Sequence, residues 1–92
     1  MIIRWTDAAR IDLDRFYSFL APYDVEAADK LLDLLIGAPE KLLNFPRRGP
    51  RLTGFGPRQI HEFSVGNYRV RYELDGDELR VVRVFHVRED RF

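Results

Sequence analysis

At 92 residues, with 46% hydrophobic and 33% charged side chains, the chain has room for one domain with a thin core and the composition of a folded protein. No apolar run approaches the roughly 20 residues needed to cross a bilayer. MIIRWTDAAR has none of the features of a secretory leader, and with no cysteine there is no disulfide framework or thiolate metal site, so a cytoplasmic protein without a membrane partner is expected. The formal net charge is +0, but it is unevenly spread: residues 1–44 hold five basic and eight acidic side chains, residues 45–92 ten and seven. Thirteen of the fifteen cations are arginine, which suits bidentate contact with carboxylate or phosphate better than a diffuse positive field.

In chain order, MIIRW predicts a strand with Ile3 and Trp5 on one face. Thr6 stands at an N-cap position with Asp7 in the first turn behind it, and Ala9, Leu13, Phe16, Tyr17 and Leu20 then form the apolar stripe of a helix that Pro22 ends. Asp24 caps a second helix, in which Ala28, Leu31, Leu32, Leu35, Leu42 and Phe45 keep phase across Gly37 and Pro39. Pro39 makes this either one kinked helix or two pieces sharing a direction, and the retained phase favours the kink. The two helices form an antiparallel hairpin.

NFPRRGPRLTGFGP is a connector carrying Arg47, Arg48 and Arg51. Three strands follow, RQIHEFSV, YRVRYEL and ELRVVRVFHV, separated by turns at Gly66–Asn67 and Asp75–Gly76. A two-residue Asp75–Gly76 turn sets Tyr72 opposite Leu79, Arg71 opposite Arg80 and Arg69 opposite Val82. The core face is then Val70, Tyr72, Leu79, Val81 and Phe85, and the other face shows Arg69, Arg71, Arg80, Val82, Val84, His86 and Arg88. A slip of one residue would exchange the faces of the last strand. The expected fold is α+β, a single domain over 1–92: an N-terminal strand, the helical hairpin, then a three-stranded antiparallel meander with the helices on one face.

A sheet face of arginines and bare valines reads as a binding surface, unless Glu62, Glu73 and Glu78 pair with the arginines. His86 is the one candidate general acid or base on that face, and His61 alternates with Phe63 as a half-buried residue. Two distant histidines make no metal ligand set, so neither metal nor cofactor is expected. The arginine connector lacks a recognition-helix pattern for DNA.

Taken together and in order, WTDAARIDLDRFYSFL, LLNFPRRG, PRQIHEF, NYRVRYEL and VVRVFHVRED resemble the RelE/ParE superfamily of type II toxins, and its ParE branch above all. The resemblance implies a growth-arresting toxin, held inert in a hetero-oligomer with a cognate antitoxin, and the strip of arginines and valines is where that antitoxin is expected, over Arg69, Arg71, Arg80, Val82 and Val84. ParE-type members poison DNA gyrase by binding, with no catalytic residue, and the target contacts are expected at His86, Arg88, Arg91 and Phe92, in the ending that projects past the sheet. RelE-type members cut mRNA on the ribosome, a reading that would make His86, Arg69 and Arg88 catalytic. A third reading is an inactive protein-interaction module of the same fold. The His-x-Arg-Glu-Asp ending, and the placing of both lysines on the helices, favour the ParE type.

Overall fold

The computed structural model describes residues 1–89. After β1 (Ile2–Trp5), Thr6 caps α1 (Asp7–Leu20): its Oγ1 accepts the Ala9 N–H at 3.1 Å. Asp24 does the same for α2 (Val25–Gly37), accepting the Ala27 N–H at 3.0 Å. The expected single kinked helix does not form: α2 ends at Gly37 and the chain runs directly on into a 3-10 turn over Ala38–Leu42, with Pro39 in its first turn. Three residues per turn lose the phase of the apolar stripe, so Leu42 stays in the core while Phe45, expected there, is 69% exposed.

The meander is β2 (Gln59–Val65), β3 (Tyr68–Asp75) and β4 (Glu78–His86), and β1 adds to it in parallel beside β4, giving the order β1-β4-β3-β2. The helices cover one face. Ala9, Leu13 and Phe16 of α1, Leu35 of α2 and Leu42 pack on Val70, Tyr72, Leu79, Val81 and Val84 of the sheet.

The β3–β4 register corrects the expected one twice. Gly76, at φ +57°, takes the first central position of the turn with Asp77, so Asp75 faces Glu78, Tyr72 faces Val81 and Glu73 faces Arg80. The arginine pair expected at 71 and 80 is thereby replaced by an ion pair. The register then shifts between Arg71 and Tyr72: Arg71 faces Arg83, Arg69 faces Phe85, and Val82 is the extra residue of a bulge. One extra residue exchanges the faces of everything after it. Val84 and His86 therefore turn to the helix side, while Arg83 and Phe85 turn outward. Val84 is fully buried and Val82 half-buried, so the outer face carries no strip of bare valines.

Because β1 ends at Trp5, the edge of β4 that faces it has no strand neighbour beyond Val81. The start of α1 fills that place. Thr6 donates through N to Val81 O and through Oγ1 to Val82 O, both at 3.0 Å, and Asp12 Oδ2 accepts the Val84 N–H at 2.8 Å. The same carboxylate receives Arg83 Nε at 2.8 Å, Arg83 Nη2 at 3.1 Å and Arg15 Nη2 at 3.4 Å, with its side chain only 3% exposed. Removing a buried carboxylate that satisfies both a guanidinium and a backbone donor costs about 3 kcal/mol. Asp12→Ala is expected to lower urea-unfolding stability by about that amount; a loss under about 0.5 kcal/mol, the size of an ordinary surface substitution, would show that the clasp is dispensable.

Candidate functional site

Between the 3-10 turn and β2, the arginine connector is tied to the sheet by buried polar contacts. Tyr72 donates its hydroxyl to Pro46 O at 2.7 Å and accepts the Gly49 N–H at 3.2 Å, while His61 Nδ1 lies 2.6 Å from Gly49 O. The His61 ring stacks on Tyr72 at 5.4 Å and is buried, not half-exposed as expected; its Nε2 has no partner among the described residues. Burial pushes the Tyr72 hydroxyl pKa up, opposed by its bond to Gly49. Pro50 O accepts the Glu62 N–H at 3.1 Å and Ile60 O accepts the Leu52 N–H at 2.8 Å, so the connector lines the first half of the β2 edge.

The second half of that edge is open to a groove of about 650 Å³. Leu34, Ala38, Leu42, Leu52, Phe63 and Val65 give it apolar walls, with Lys41, Arg48 and Arg69 around them. None of these cations meets a carboxylate among the described residues; Arg69 Nη1 donates only to Gly66 O at 3.4 Å and Tyr68 O at 3.1 Å. Like Ile60 and Glu62, whose outward backbone groups the connector engages, Ser64 points its N–H and C=O away from β3. The groove therefore offers apolar contact, positive charge and an unpaired strand edge together.

Elsewhere on the outer face the arginines have partners. Arg71 pairs with Glu62 at 3.2 Å, and the guanidiniums of Arg71 and Arg83 each lie 5.0 Å from the Phe85 ring centroid. Arg80 reaches Glu73 at 3.1 Å, Asp75 at 3.4 Å and Glu78 at 2.7 Å; Arg58 forks onto Glu73 through two bonds of 2.8 Å, and Arg4 pairs with Glu78. The Arg58 hydrogen bonds hold Glu73 below the usual carboxylate range, against its burial and with help from Arg80.

His86 lies on the helix side, its ring edge-on to Tyr68 at 5.1 Å and its Nδ1 3.2 Å from the Arg88 N–H. That places it on the face opposite Arg69. Arg88 is exposed, and its side chain meets no carboxylate among the described residues. Arg91 and Phe92 lie outside the described residues. Of the sequence-expected contact residues, Arg69, Arg71 and Arg80 share the outer face, whereas Val84 and His86 do not join them. The reading of the residues passed over Lys41, Arg48 and Leu34 as neighbours of Arg69, because they come from segments that only the tertiary fold brings to β2.

A profile of the family described as the ParE toxin of the type II toxin-antitoxin system, parDE, matches residues 3–91. The chain belongs to the ParE toxin family. A protein named toxin RelE1 from Caulobacter vibrioides is 36% identical to this ParE-family chain over 84 residues, covering 90% of it and 89% of the relative. Among solved structures, a chain of the chromosomal ParDE system from P. aeruginosa has the same fold, with a TM-score of 0.77 at 19% identity over 94% of this chain and 95% of that one. The RelBE2 toxin-antitoxin complex from Mycobacterium tuberculosis contains another, with a TM-score of 0.60 at 22% identity over 92% and 95%. These neighbours bear out the α+β architecture of a RelE/ParE-superfamily toxin.

Two measurements probe the scaffold of this ParE-family site. At Gly49 a Cβ would sit 2.6 Å from the backbone oxygen of Glu62, so Gly49→Ala is expected to cost about 1–3 kcal/mol and loosen the connector, read by urea unfolding; wild-type stability would show that the close approach yields easily. The second concerns pH. Since the folded-state pKa of Glu73 is depressed, its contribution is present above the ordinary carboxylate range and lost as pH falls through the folded value. The stability gap between the wild type and Glu73→Gln should be widest near neutral pH and close in acid; a gap independent of pH would contradict the pairing.

Proposed function

We propose that this toxin acts on DNA gyrase by binding, without catalysis, and that its cognate antitoxin neutralises it in the cytoplasm by laying a segment along the β2 groove. The observation that carries the noncatalytic reading is the separation of Arg69 from His86. A ribonuclease of the RelE type needs a proton-transfer group and a phosphate-binding cation converging on one ribose phosphate. Here the bulge at Val82 sends His86 to the helix side, where its Nδ1 faces the Arg88 N–H, while Arg69 stays on the outer face. The name of the Caulobacter relative points to the alternative, mRNA cleavage, in which His86, Arg69 and Arg88 would act together. The face exchange weighs against it.

For the antitoxin, the groove suits an extended segment with apolar and acidic side chains. Its backbone would pair with Ser64, its apolar side chains would enter between Leu34, Leu42, Phe63 and Val65, and its carboxylates would meet Lys41, Arg48 and Arg69. Arg71 and Arg80 already hold carboxylates of their own chain, so of the arginines first expected at the antitoxin interface Arg69 has the most to gain. Val82, half-buried at the bulge, would lie at the margin.

Purified gyrase with ATP and supercoilable plasmid tests the target. Loss of supercoiling with accumulation of cleaved plasmid is the expected result; undisturbed gyrase together with mRNA cut on translating ribosomes would replace this reading with the nuclease one. For the groove, Arg48→Glu with Arg69→Glu should weaken the toxin-antitoxin complex at least about tenfold by calorimetry. Unchanged affinity would take the antitoxin off this edge.

A further inference from the structure

We infer that Arg15, on α1, is a positioning residue that sets the C-terminal turn of the toxin against its target; this rests on the gyrase-binding reading above. The turn after β4 is held by three bonds from its backbone N–H groups. Val87 N donates to Asn67 O at 2.9 Å, Glu89 N to His86 O at 2.9 Å, and Arg88 N to His86 Nδ1 at 3.2 Å. These tie the turn to itself and to the β2–β3 turn, and leave its angle to the helix layer open. Glu89 closes that angle. Its carboxylate takes a two-bond fork from Arg15, Nη1 to Oε1 at 3.0 Å and Nη2 to Oε2 at 3.2 Å.

An ion pair on a helix surface usually contributes little, because two long side chains must be held still for it. Arg15 is held still by other means. Its guanidinium lies 4.5 Å from the Phe16 ring centroid, and Nη2 also reaches Asp12 Oδ1 at 3.4 Å, the carboxylate that clasps β4. The bond to Glu89 is also the largest influence raising the Arg15 pKa. Glu89 thus meets a pre-aimed cation, and lysine, a point charge without a fork, could hold it but not orient it.

The turn held in this way presents Val87, 41% exposed, and the exposed Arg88 side chain, which has no carboxylate partner among the described residues. An apolar contact beside an exposed guanidinium fits an acidic, partly apolar patch on the target protein. Arg15 does not touch the target. It fixes the direction in which Arg88 meets it.

The test uses the full-length toxin, freed of antitoxin, as Arg15→Gln, Arg15→Lys, Glu89→Gln and the Arg15→Gln/Glu89→Gln double variant. In the supercoiling assay each glutamine variant is expected to raise the half-inhibitory concentration about tenfold, the double variant no more than either single one, with Arg15→Lys in between. Affinity for the antitoxin should change by less than about twofold, since neither residue lines the β2 groove. Wild-type inhibition by Arg15→Gln, or losses that multiply in the double variant, would overturn the inference. Should the wild-type toxin leave gyrase untouched, the target reading has failed rather than this one, and amide exchange of residues 87–89 then decides. Equal acceleration in the single and double variants supports the positioning role, and unchanged exchange refutes it.

Discussion

The structure depends on one buried carboxylate. Asp12 takes the place of a strand that the chain does not have: β1 is four residues long and stops where β4 still has its second half to run. A backbone N–H at that unpaired, buried edge would be left without an acceptor, at a cost of roughly 1–3 kcal/mol. Asp12 removes that cost for Val84 and uses its remaining lone pairs on Arg83 and Arg15. With Thr6 bonded to Val81 and Val82, the first two turns of α1 act as an edge for the sheet. At position 12 only an acceptor serves, because the Val84 N–H and the Arg83 guanidinium both donate to it.

The bulge at Val82 and the clasp at Asp12 are parts of one arrangement. The extra residue brings Val84 into the core and turns its N–H toward α1, and it sends Arg83 to the outer face, from which its guanidinium reaches Asp12. The same change of face separates His86 from Arg69. His86 goes with Tyr68 and the helix layer, next to the C-terminal turn, while Arg69 stays outside near the β2 groove. The scaffold thus has two distinct surfaces, the groove along the edge of β2 and the turn after β4, and the proposal above gives the first to the antitoxin and the second to the target.

Much of this fold was legible in local chemistry. Thr6 and Asp24 announce their helices as caps, Pro22 ends the first, and Tyr68, Val70, Tyr72 and Leu74 alternate plainly enough to place β3. What stayed hidden was decided by pairing rather than by local pattern. The turn centres on Gly76 and Asp77, one residue later than an Asp-Gly turn suggests, and nothing in VVRVFHV marks which valine bulges. The 3-10 turn at Pro39 displaced Phe45 because the tightening depends on how the turn packs. One signal was present but unread. Asp12 stands at i+3 from Ala9 and one turn before Phe16, an acid in phase with the buried stripe, which is where a buried partner for a cation belongs. At the candidate site Arg69 could be named from its strand, whereas Lys41, Arg48 and the leucines beside it join only through the tertiary fold.

The most direct test of the clasp is native-state hydrogen exchange at the Val84 amide. If Asp12 holds the β4 edge as described, that amide exchanges only through global unfolding, with the same free energy as the amides of Val70 and Tyr72 inside the sheet. Exchange through local opening, several kcal/mol easier than in β3, would mean that the second half of β4 frays from α1 and that the edge is held by something other than this carboxylate.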